Sequence, residues 1–240
     1  MNDVAVRSFQ ASDAPAVRRI FAEGMADLIW DGFLALAGAL APLIAGVGVA
    51  AGGIAWAAGC PALVALSVAV APIAAAVSLL YAYFRRQVLA YVDQSLADDL
   101  SDIDTFYMAK KPSHFWVAVE RARGSVHGAE EVLGCVALEY KPEHKKYAGW
   151  AELRRMSVSR GARRRGVACR LNDALLTHCR QCQIKGVFLS TSTMQPAAIA
   201  LYERLGYRPA ATGNFYPYPL LKEAVQFVTF DMDLEPSCKQ

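Results

Sequence analysis

The 240-residue sequence has little net charge and no cysteine spacing typical of a disulfide framework. Its formal net charge is only +3, and no basic stripe alternates with aromatic residues, so we expect no nucleic-acid partner. The six cysteines include a Cys179-x-x-Cys182 pair, but this pair lies inside a predicted helix without a second pair of ligands. We therefore expect reduced thiols and no bound metal.

Charged side chains are also absent from one long segment, because none occurs between Phe33 and Phe84. One membrane crossing takes about 20 apolar residues, so this segment is long enough for two. The sequence Gly59-Cys60-Pro61 predicts a break near its middle, and Pro42 and Pro72 lie inside the two halves. The segment starts too late and is too long for a secretory signal. The pattern favours a helical transmembrane hairpin over a buried core hairpin of a soluble protein.

The residues before this segment predict a strand over Val4–Phe9 and a helix that begins near Ser12-Asp13. A strand and a helix do not form a domain alone, so we expect this arm to pack with the sheet that follows the segment. Both flanks would then lie on one side of the bilayer, and the number of crossings would be even. The chain divides into an N-terminal arm (1–31), a transmembrane or re-entrant hairpin (32–84) and the main part of the domain (85–240).

Basic residues lie close to both ends of the apolar segment. Arg18 and Arg19 precede it, Arg85 and Arg86 follow it, and the short connection between its halves contains no Lys or Arg. The positive-inside rule therefore predicts that the folded part of the protein lies in the cytosol.

The second half of the sequence predicts a mixed α/β architecture. Alternation and β-branched or aromatic residues indicate five further strands, at 114–120, 131–140, 150–158, 187–192 and 224–234. Helical patterns follow the third and the fourth of these strands. The acidic stretch 98–104 is typical of a solvated linker or helix end. Together with the N-terminal arm, this order predicts an α/β fold with a mixed β-sheet and helices on both faces.

The most informative stretch follows the strand over residues 150–158. It is the basic loop Arg163-Arg164-Arg165-Gly166-Val167-Ala168, which leads into a predicted helix. Backbone N–H groups at such a helix N-terminus form a site for a pyrophosphate.

The loop, together with the strand before it, resembles the coenzyme A signature of the GNAT superfamily of N-acetyltransferases. The segment Ala200-Leu-Tyr-Glu-Arg-Leu-Gly-Tyr207 resembles the second signature of the superfamily, at the expected separation. The apolar insert and the phrase Arg154-Arg-Met-Ser-Val158 make the chain similar to the camello-type, or family 8, membrane-bound N-acetyltransferases.

This resemblance implies an acetyl-CoA-dependent N-acetyltransferase in the endoplasmic reticulum membrane, with a GNAT-like sheet interrupted by the hairpin. Acetyl-CoA would be the co-substrate, the lipid bilayer a partner, and no metal would take part. Members of the group acetylate small amines, including cysteine S-conjugates and aspartate, or lysines of proteins. We favour a cysteine S-conjugate or an amino acid, because the aromatic segment Asn214–Leu221 suits a compact acceptor pocket, although this segment could equally rest against the bilayer surface. The alternatives are a protein lysine acetyltransferase and a membrane regulator that keeps the fold with little turnover.

The resemblance also implies which residues contact acetyl-CoA. Backbone groups of the loop would bind the pyrophosphate and its arginines would add positive charge, although Arg164 could equally be a solvated surface residue. The strands at 150–158 and 187–192 would diverge, and backbone groups of the first would bind the pantetheine and the acetyl carbonyl. Gln195 stands where the family usually has Asn. The candidate cofactor-binding residues are Met156, Val158, Arg163, Arg164, Arg165, Gly166, Val167, Ala168 and Gln195.

Tyr202 occupies the position of the general acid in the family. A phenol can protonate the departing coenzyme A thiolate; the alternative is a tyrosine that only packs on the apolar face of its helix. Cys169 follows the loop, where a residue under the cofactor more often packs, so we expect direct attack of the amine in a ternary complex without a covalent intermediate.

Glu152 is the carboxylate best placed to act as the general base. Its spacing predicts that it shares a strand face with Arg154 and Met156, so an ion pair is the competing role. His114 and His144 are weaker candidates for the base.

Overall fold

The computed structural model describes residues 4–121, 130–214 and 224–234. The sequence also predicts a loop over residues 121–128, between the strands at 114–120 and 131–140. All of that loop except Arg121, most of the aromatic segment Asn214–Leu221, and Cys238 lie outside the described range.

The strands are β1 (Val4–Ser8), β2 (His114–Arg121), β3 (Glu130–Lys141), β4 (Trp150–Val158), β5 (Gly186–Ser192), β6 (Arg208–Asn214) and β7 (Gln226–Asp233). The helices are α1 (Ala14–Ala26), α2 (Leu28–Ala57), α3 (Ala62–Ala97), α4 (Val167–Gln181) and α5 (Pro196–Arg204). The strands form one sheet in the order β1-β2-β3-β4-β5-β7-β6. Only the β4–β5 pair in this described sheet is parallel, so the sheet is mixed, as predicted.

Helices cover both faces of the sheet, because successive residues of each strand point to opposite sides. On β2, Trp116 and Ala118 pack into one core with α4 and α5, which we call the α4 core. Phe115 and Val117 pack into a second core with α1 and the end of α3, which we call the α1 core. The predicted fold class is therefore confirmed.

The N-terminal arm belongs to this sheet. Strand β1 pairs with β2 along its whole length, from Val4 opposite Glu120 to Ser8 opposite Trp116. The chain before the apolar segment and the chain after it thus build one sheet.

The apolar segment forms two antiparallel helices, α2 and α3, that meet at a turn around Gly59, where the sequence predicted the break. Both helices extend beyond residues 32–84, since α2 begins at Leu28 and α3 ends at Ala97. By length and composition both are able to cross a membrane, and only 17% and 6% of their most apolar windows are buried. These apolar windows therefore lie mostly outside the cores of the described protein, although the bases of both helices pack against it.

Two features differ from the sequence-based predictions. Strand β6 was not predicted, because its sequence contains Pro, Gly and Asn and its side chains are mostly exposed, which leaves no alternating pattern. It forms nonetheless by pairing with β7. The acidic stretch was predicted to be solvated, but Asp99 is fully buried and its neighbour Leu100 lies in the α1 core. Asp99 is buried because it forms an ion pair with Arg155, which sequence spacing does not reveal.

Candidate active site

The parallel strands β4 and β5 diverge over most of their length. Their backbones pair only at Ala151 with Val187 and at Glu152 with Phe188. Strand β4 continues to Val158 and β5 to Ser192, and from Leu153 onward the described chain has no β4–β5 pairing. The predicted gap between these strands is present, and its backbone groups are available to a ligand.

The side of β4 that faces β3 contains a bulge. Arg154 pairs with Ala137 and Ser157 pairs with Cys135, so Arg155 and Met156 both stand opposite a single residue of β3. Arg155 has a φ of +56°, in the left-handed region that costs a non-glycine residue roughly 1–2 kcal/mol. The pattern of β4 gave no sign of this bulge.

The bulge changes which side chains share a face. Glu152 and Arg154 lie on the side of the α1 core, while Met156 packs against the α4 core. The prediction that Glu152 shares a face with both is thus correct for Arg154 and wrong for Met156, because the extra residue shifts the alternation after Arg154. Arg154 and Arg155, although adjacent in sequence, both point toward the α1 core.

Glu152 is the end of a chain of alternating charges on the α1 side. Its Oε2 lies 3.4 Å from Lys141 Nζ, which lies 3.0 Å from Glu139 Oε1. The other oxygen of Glu139 accepts a hydrogen bond of 2.7 Å from Arg154. Glu152 is therefore in an ion pair, the competing role considered from the sequence, and its position beside the gap keeps it a candidate base.

The two histidine candidates lie elsewhere and have other contacts. His114 Nε2 and Ser8 Oγ form a hydrogen bond of 2.9 Å, and burial next to His178 lowers the pKa of His114 to about 4. His144 Nδ1 accepts the backbone N–H of Tyr147, and its ring packs against Phe188 near the start of β5.

The basic loop precedes α4 as predicted. Gly166 has a φ of +79° and is the N-cap of the helix, a conformation that glycine adopts without strain. The side chain of Val167 is buried in the α4 core, so only its backbone is available to a ligand. No acidic residue occurs in the first turn of α4, so the positive end of the helix dipole is not neutralised there.

Acidic side chains from other elements already pair with most of the loop arginines. Asp27, between α1 and α2, accepts hydrogen bonds from Arg160 and Arg163, the latter at 2.7 Å. These hydrogen bonds lower the pKa of Asp27, and the one from Arg160 has the larger effect. Arg165 pairs with Glu120 on β2. Arg164 is exposed and has no ion-pair partner among the described residues. Sequence reasoning did not identify either of these carboxylates.

Gln195 and Tyr202 lie just beyond the open end of β5. Gln195 Oε1 accepts a hydrogen bond of 2.6 Å from the Thr191 hydroxyl, directly before α5. Tyr202 is buried in the α4 core, with its ring centroid 5.7 Å from that of Tyr207. Burial raises the pKa of Tyr202 above its ordinary value, so the phenol is protonated and able to donate.

The structure brings some of the candidate residues together and separates others. Tyr202, Met156, Val158 and Val167 share the α4 core, whereas Glu152 lies on the opposite face of the sheet. The Tyr202 phenol and the Glu152 carboxylate thus lie on opposite faces of the sheet. Among the described residues, no group of three or more His, Cys, Asp or Glu side chains is arranged to bind a metal ion.

A parallel strand pair that opens into a gap, with a basic loop and a helix N-terminus between its two strands, is the architecture of the acetyl-CoA-dependent acetyltransferases. Comparison with known families agrees, because the model of the acetyltransferase (GNAT) family matches residues 77–207. This match covers more than half of the chain, so the chain belongs to the GNAT family. The predicted family is therefore confirmed, and the family is one of acetyltransferases.

Curated relatives are consistent with the branch predicted from the sequence. N-acetylaspartate synthetase of Danio rerio is 33% identical over 58% of this chain and 45% of its own length. The Homo sapiens protein of the same name is 31% identical over 90% of this chain and 66% of its own length. N-acetyltransferase 8 of Homo sapiens is 30% identical over 52% of each chain. The chain thus spans about half to two thirds of the length of the relatives it matches.

A solved structure agrees on the fold. A GNAT-family acetyltransferase from Staphylococcus aureus superposes with a TM-score of 0.53 at 13% identity, over 97% of this chain and 100% of that chain. At this identity the likeness shows the fold alone.

Proposed function

We propose that this chain is a membrane-anchored N-acetyltransferase that moves acetyl from acetyl-CoA to the amine of a small molecule, such as an amino acid or a cysteine S-conjugate. The observation that carries the proposal is the gap between β4 and β5, with the basic loop at the start of α4 and the buried phenol of Tyr202 beside it.

The reaction is a direct attack in a ternary complex. The neutral amine attacks the carbonyl carbon of the thioester, a C–N bond forms, and the C–S bond breaks. Backbone N–H groups near Met156 and Val158 stabilise the negative charge on the carbonyl oxygen. The Tyr202 phenol gives its proton to the departing thiolate, and the amine loses its proton to Glu152, directly or through water. The two residues act from opposite sides of the thioester.

The basic loop binds the pyrophosphate of acetyl-CoA. Backbone N–H groups from Arg165 to Ala168 lie at the N-terminus of α4, which is the positive end of the helix dipole, and Arg163 and Arg164 add positive charge for the phosphates. Gln195 contacts the pantetheine arm through its amide nitrogen, because Thr191 occupies the amide oxygen. When acetyl-CoA binds, a phosphate would replace Asp27 as the ion-pair partner of Arg163.

An amino acid is the acceptor class that the surroundings of Glu152 favour. Lys141 and Arg154 lie on the same face, and both are cations that could pair with a carboxylate of the acceptor. The name of the relatives, N-acetylaspartate synthetase, supports an amino acid as well.

The apolar hairpin anchors the enzyme in a membrane. Large apolar side chains on α2 and α3 are exposed along both helices, including Trp30, Ile54, Trp56, Leu63 and Leu79. A bilayer would remove this surface from water, which is the main driving force for such insertion. We propose the arm 1–31, the hairpin 32–84 and the main part 85–240 as the divisions of the chain, with the catalytic part on the cytosolic side of the endoplasmic reticulum membrane.

A comparison of acceptors tests the reaction. The full chain, purified in detergent micelles, is incubated with acetyl-CoA and either L-aspartate, S-benzyl-L-cysteine or a lysine peptide, and release of the coenzyme A thiol is measured. A reaction without amine corrects for hydrolysis. We expect one of the two small amines to be acetylated faster than the peptide. A preference for the peptide would favour the lysine acetyltransferase alternative, and coenzyme A binding without acetylation of any amine would support the regulator.

A further inference from the structure

The bulge in β4 is stabilised by a buried network around Arg155. Arg155 is 6% exposed and Asp99 is fully buried, and Arg155 Nε donates to Asp99 Oδ2 at 2.9 Å while Nη2 donates to Oδ1. Nη1 donates to Ser95 Oγ at 3.0 Å and to Tyr91 Oη at 3.2 Å. The bidentate pair between Arg155 and Asp99 is both strong and geometrically specific.

Two further contacts complete the network. The guanidinium carbon lies 4.9 Å from the centre of the Phe21 ring, and the Tyr107 hydroxyl donates to Asp99. Burial alone would raise the pKa of Asp99, but hydrogen bonds from Arg155 and Tyr107 bring it below its ordinary value. Both charges are thus retained, and every nitrogen of the guanidinium has a partner.

The partners of Arg155 come mainly from one element. Tyr91 and Ser95 belong to α3, and Asp99 is the second residue after its end at Ala97. Helix α3 is the second helix of the apolar hairpin, so its continuation reaches the centre of the sheet at the point where β4 bulges. The left-handed backbone at Arg155 is unfavourable alone, and it persists because α3 fixes the side chain.

The position of the bulge connects this network to the reaction. Met156 is the next residue, and its backbone lies beside the gap where β4 has separated from β5. A rotation at Arg155 would reorient the backbone groups that face the thioester carbonyl. Stabilisation of a developing oxyanion depends steeply on such orientation.

We propose that Arg155 and Asp99 are positioning residues for acyl transfer, which fix the β4 bulge so that its backbone groups meet the thioester carbonyl. The proposal rests on the proposed acetyltransferase function. It follows that α3 is part of the active site, and that the hairpin is more than a separable anchor.

The first test is Arg155→Lys, which keeps the charge but cannot form the two-pronged pair with Asp99. We expect kcat to fall by about 10- to 100-fold, with the KM for acetyl-CoA changed by less than about threefold, because an interaction made in the transition state is lost. The matched control is Arg7→Lys. Arg7 donates to both oxygens of Asp13 at 2.8 and 3.0 Å, but it lies on β1, away from the gap. The Arg7→Lys variant should have a lower melting temperature than the parent and an unchanged kcat.

A double variant separates positioning from stability. Arg155→Met with Asp99→Leu removes both buried charges at similar volume, a replacement that often preserves or raises stability. We expect this variant to fold and bind coenzyme A with a Kd within about threefold of the parent, yet to show the same fall in kcat. A folded variant of either kind with the kcat of the parent would overturn the proposal, as would a higher KM with unchanged kcat. An inactive parent would instead refute the proposed function.

Discussion

At the scale of single residues, Tyr202 is the group whose chemistry is most directly testable. Tyr202→Phe removes the hydroxyl but keeps the ring in its place against Tyr207 and Phe230. A general acid typically contributes about 10²- to 10⁴-fold, so we expect kcat to fall by about 10²-fold or more while the KM for acetyl-CoA changes less than about threefold. Steady-state release of the coenzyme A thiol measures both values.

Tyr207→Phe is the control for Tyr202→Phe. The Tyr207 hydroxyl donates to Asn172 Oδ1 at 2.9 Å in the same core, so its loss should lower stability and leave kcat unchanged. Because burial raises the pKa of Tyr202, its ionisation should not limit kcat below the ordinary tyrosine pKa of about 10. A Tyr202→Phe variant with the kcat of the parent would remove Tyr202 from the mechanism.

His114 should make stability depend on pH. Burial lowers its pKa to about 4 in the folded protein, against about 6.5 when unfolded. The unfolded chain therefore binds more protons between these values, and the stability present above pH 6.5 should fall as the pH drops toward 4. We expect His114 to contribute roughly 1–3 kcal/mol of this fall. Denaturant unfolding of the parent and of His114→Gln at both pH values measures it, and equal pH slopes in the two proteins would contradict it.

Residue types and motif spacing allowed the loop, Gln195 and Tyr202 to be singled out, but not the charges that surround them. Asp99 lies 56 positions from Arg155 and Asp27 lies 136 positions from Arg163. Pairing at such separations is decided by how elements pack, which local periodicity does not encode. Even Glu152, chosen from its place on β4, was assigned one wrong neighbour, because a single bulged residue reversed the faces beyond it.

At the scale of elements, the contact between α2 and α3 depends on small residues. A Cβ added at Gly48 would lie 2.4 Å from Ile73 Cδ1 and 2.8 Å from the Ala69 carbonyl oxygen, whereas one added at Gly46 meets nothing within 4 Å. Gly48→Ala should therefore force the helices apart and destabilise the protein by about 1–3 kcal/mol. Gly46→Ala should be neutral or stabilising by up to about 1 kcal/mol, since alanine favours a helix. Thermal unfolding in micelles tests the pair, and equal shifts in both variants would contradict this packing.

Most elements were predictable because their patterns are local. Strand β4 was bounded correctly at both ends, and the turn of the hairpin lies at the predicted glycine and proline. Strand β6 was not predictable, since it is an exposed strand at the edge of the sheet and its stability comes from its partner. The hairpin bounds 32–84 also fall short of the two helices, since α2 begins at Leu28 and α3 ends at Ala97. Charge marks where an apolar segment ends, but a helix continues for as long as its backbone hydrogen bonds and packing allow.

At the scale of the whole molecule, the hairpin and the sheet are joined at several places. Asp27 before α2 pairs with Arg160 and Arg163, and Asp99 after α3 pairs with Arg155. The bases of the two helices also pack with Met194, next to Gln195. Both ends of the hairpin therefore contact the strand and loops proposed to bind acetyl-CoA.

This arrangement predicts the topology of the chain in a membrane. Since β1 and β2 pair across the hairpin, both of its ends must emerge on one side, and a hairpin that crosses twice places the turn at Gly59 on the other side. In sealed microsomes, we expect added protease to digest the catalytic part, and an N-glycosylation site inserted at the turn to be glycosylated.

A glycosylation site inserted in the connection between β3 and β4 is the control, and it should stay unmodified because the positive-inside rule places that connection in the cytosol. Glycosylation of the control alone would reverse the orientation. A digested domain with an unmodified turn would indicate a re-entrant hairpin, which satisfies the same strand pairing without exposing Gly59 to the lumen. Modification of both sites in one molecule would require the turn and the sheet to share a compartment, which a hairpin that crosses twice cannot do.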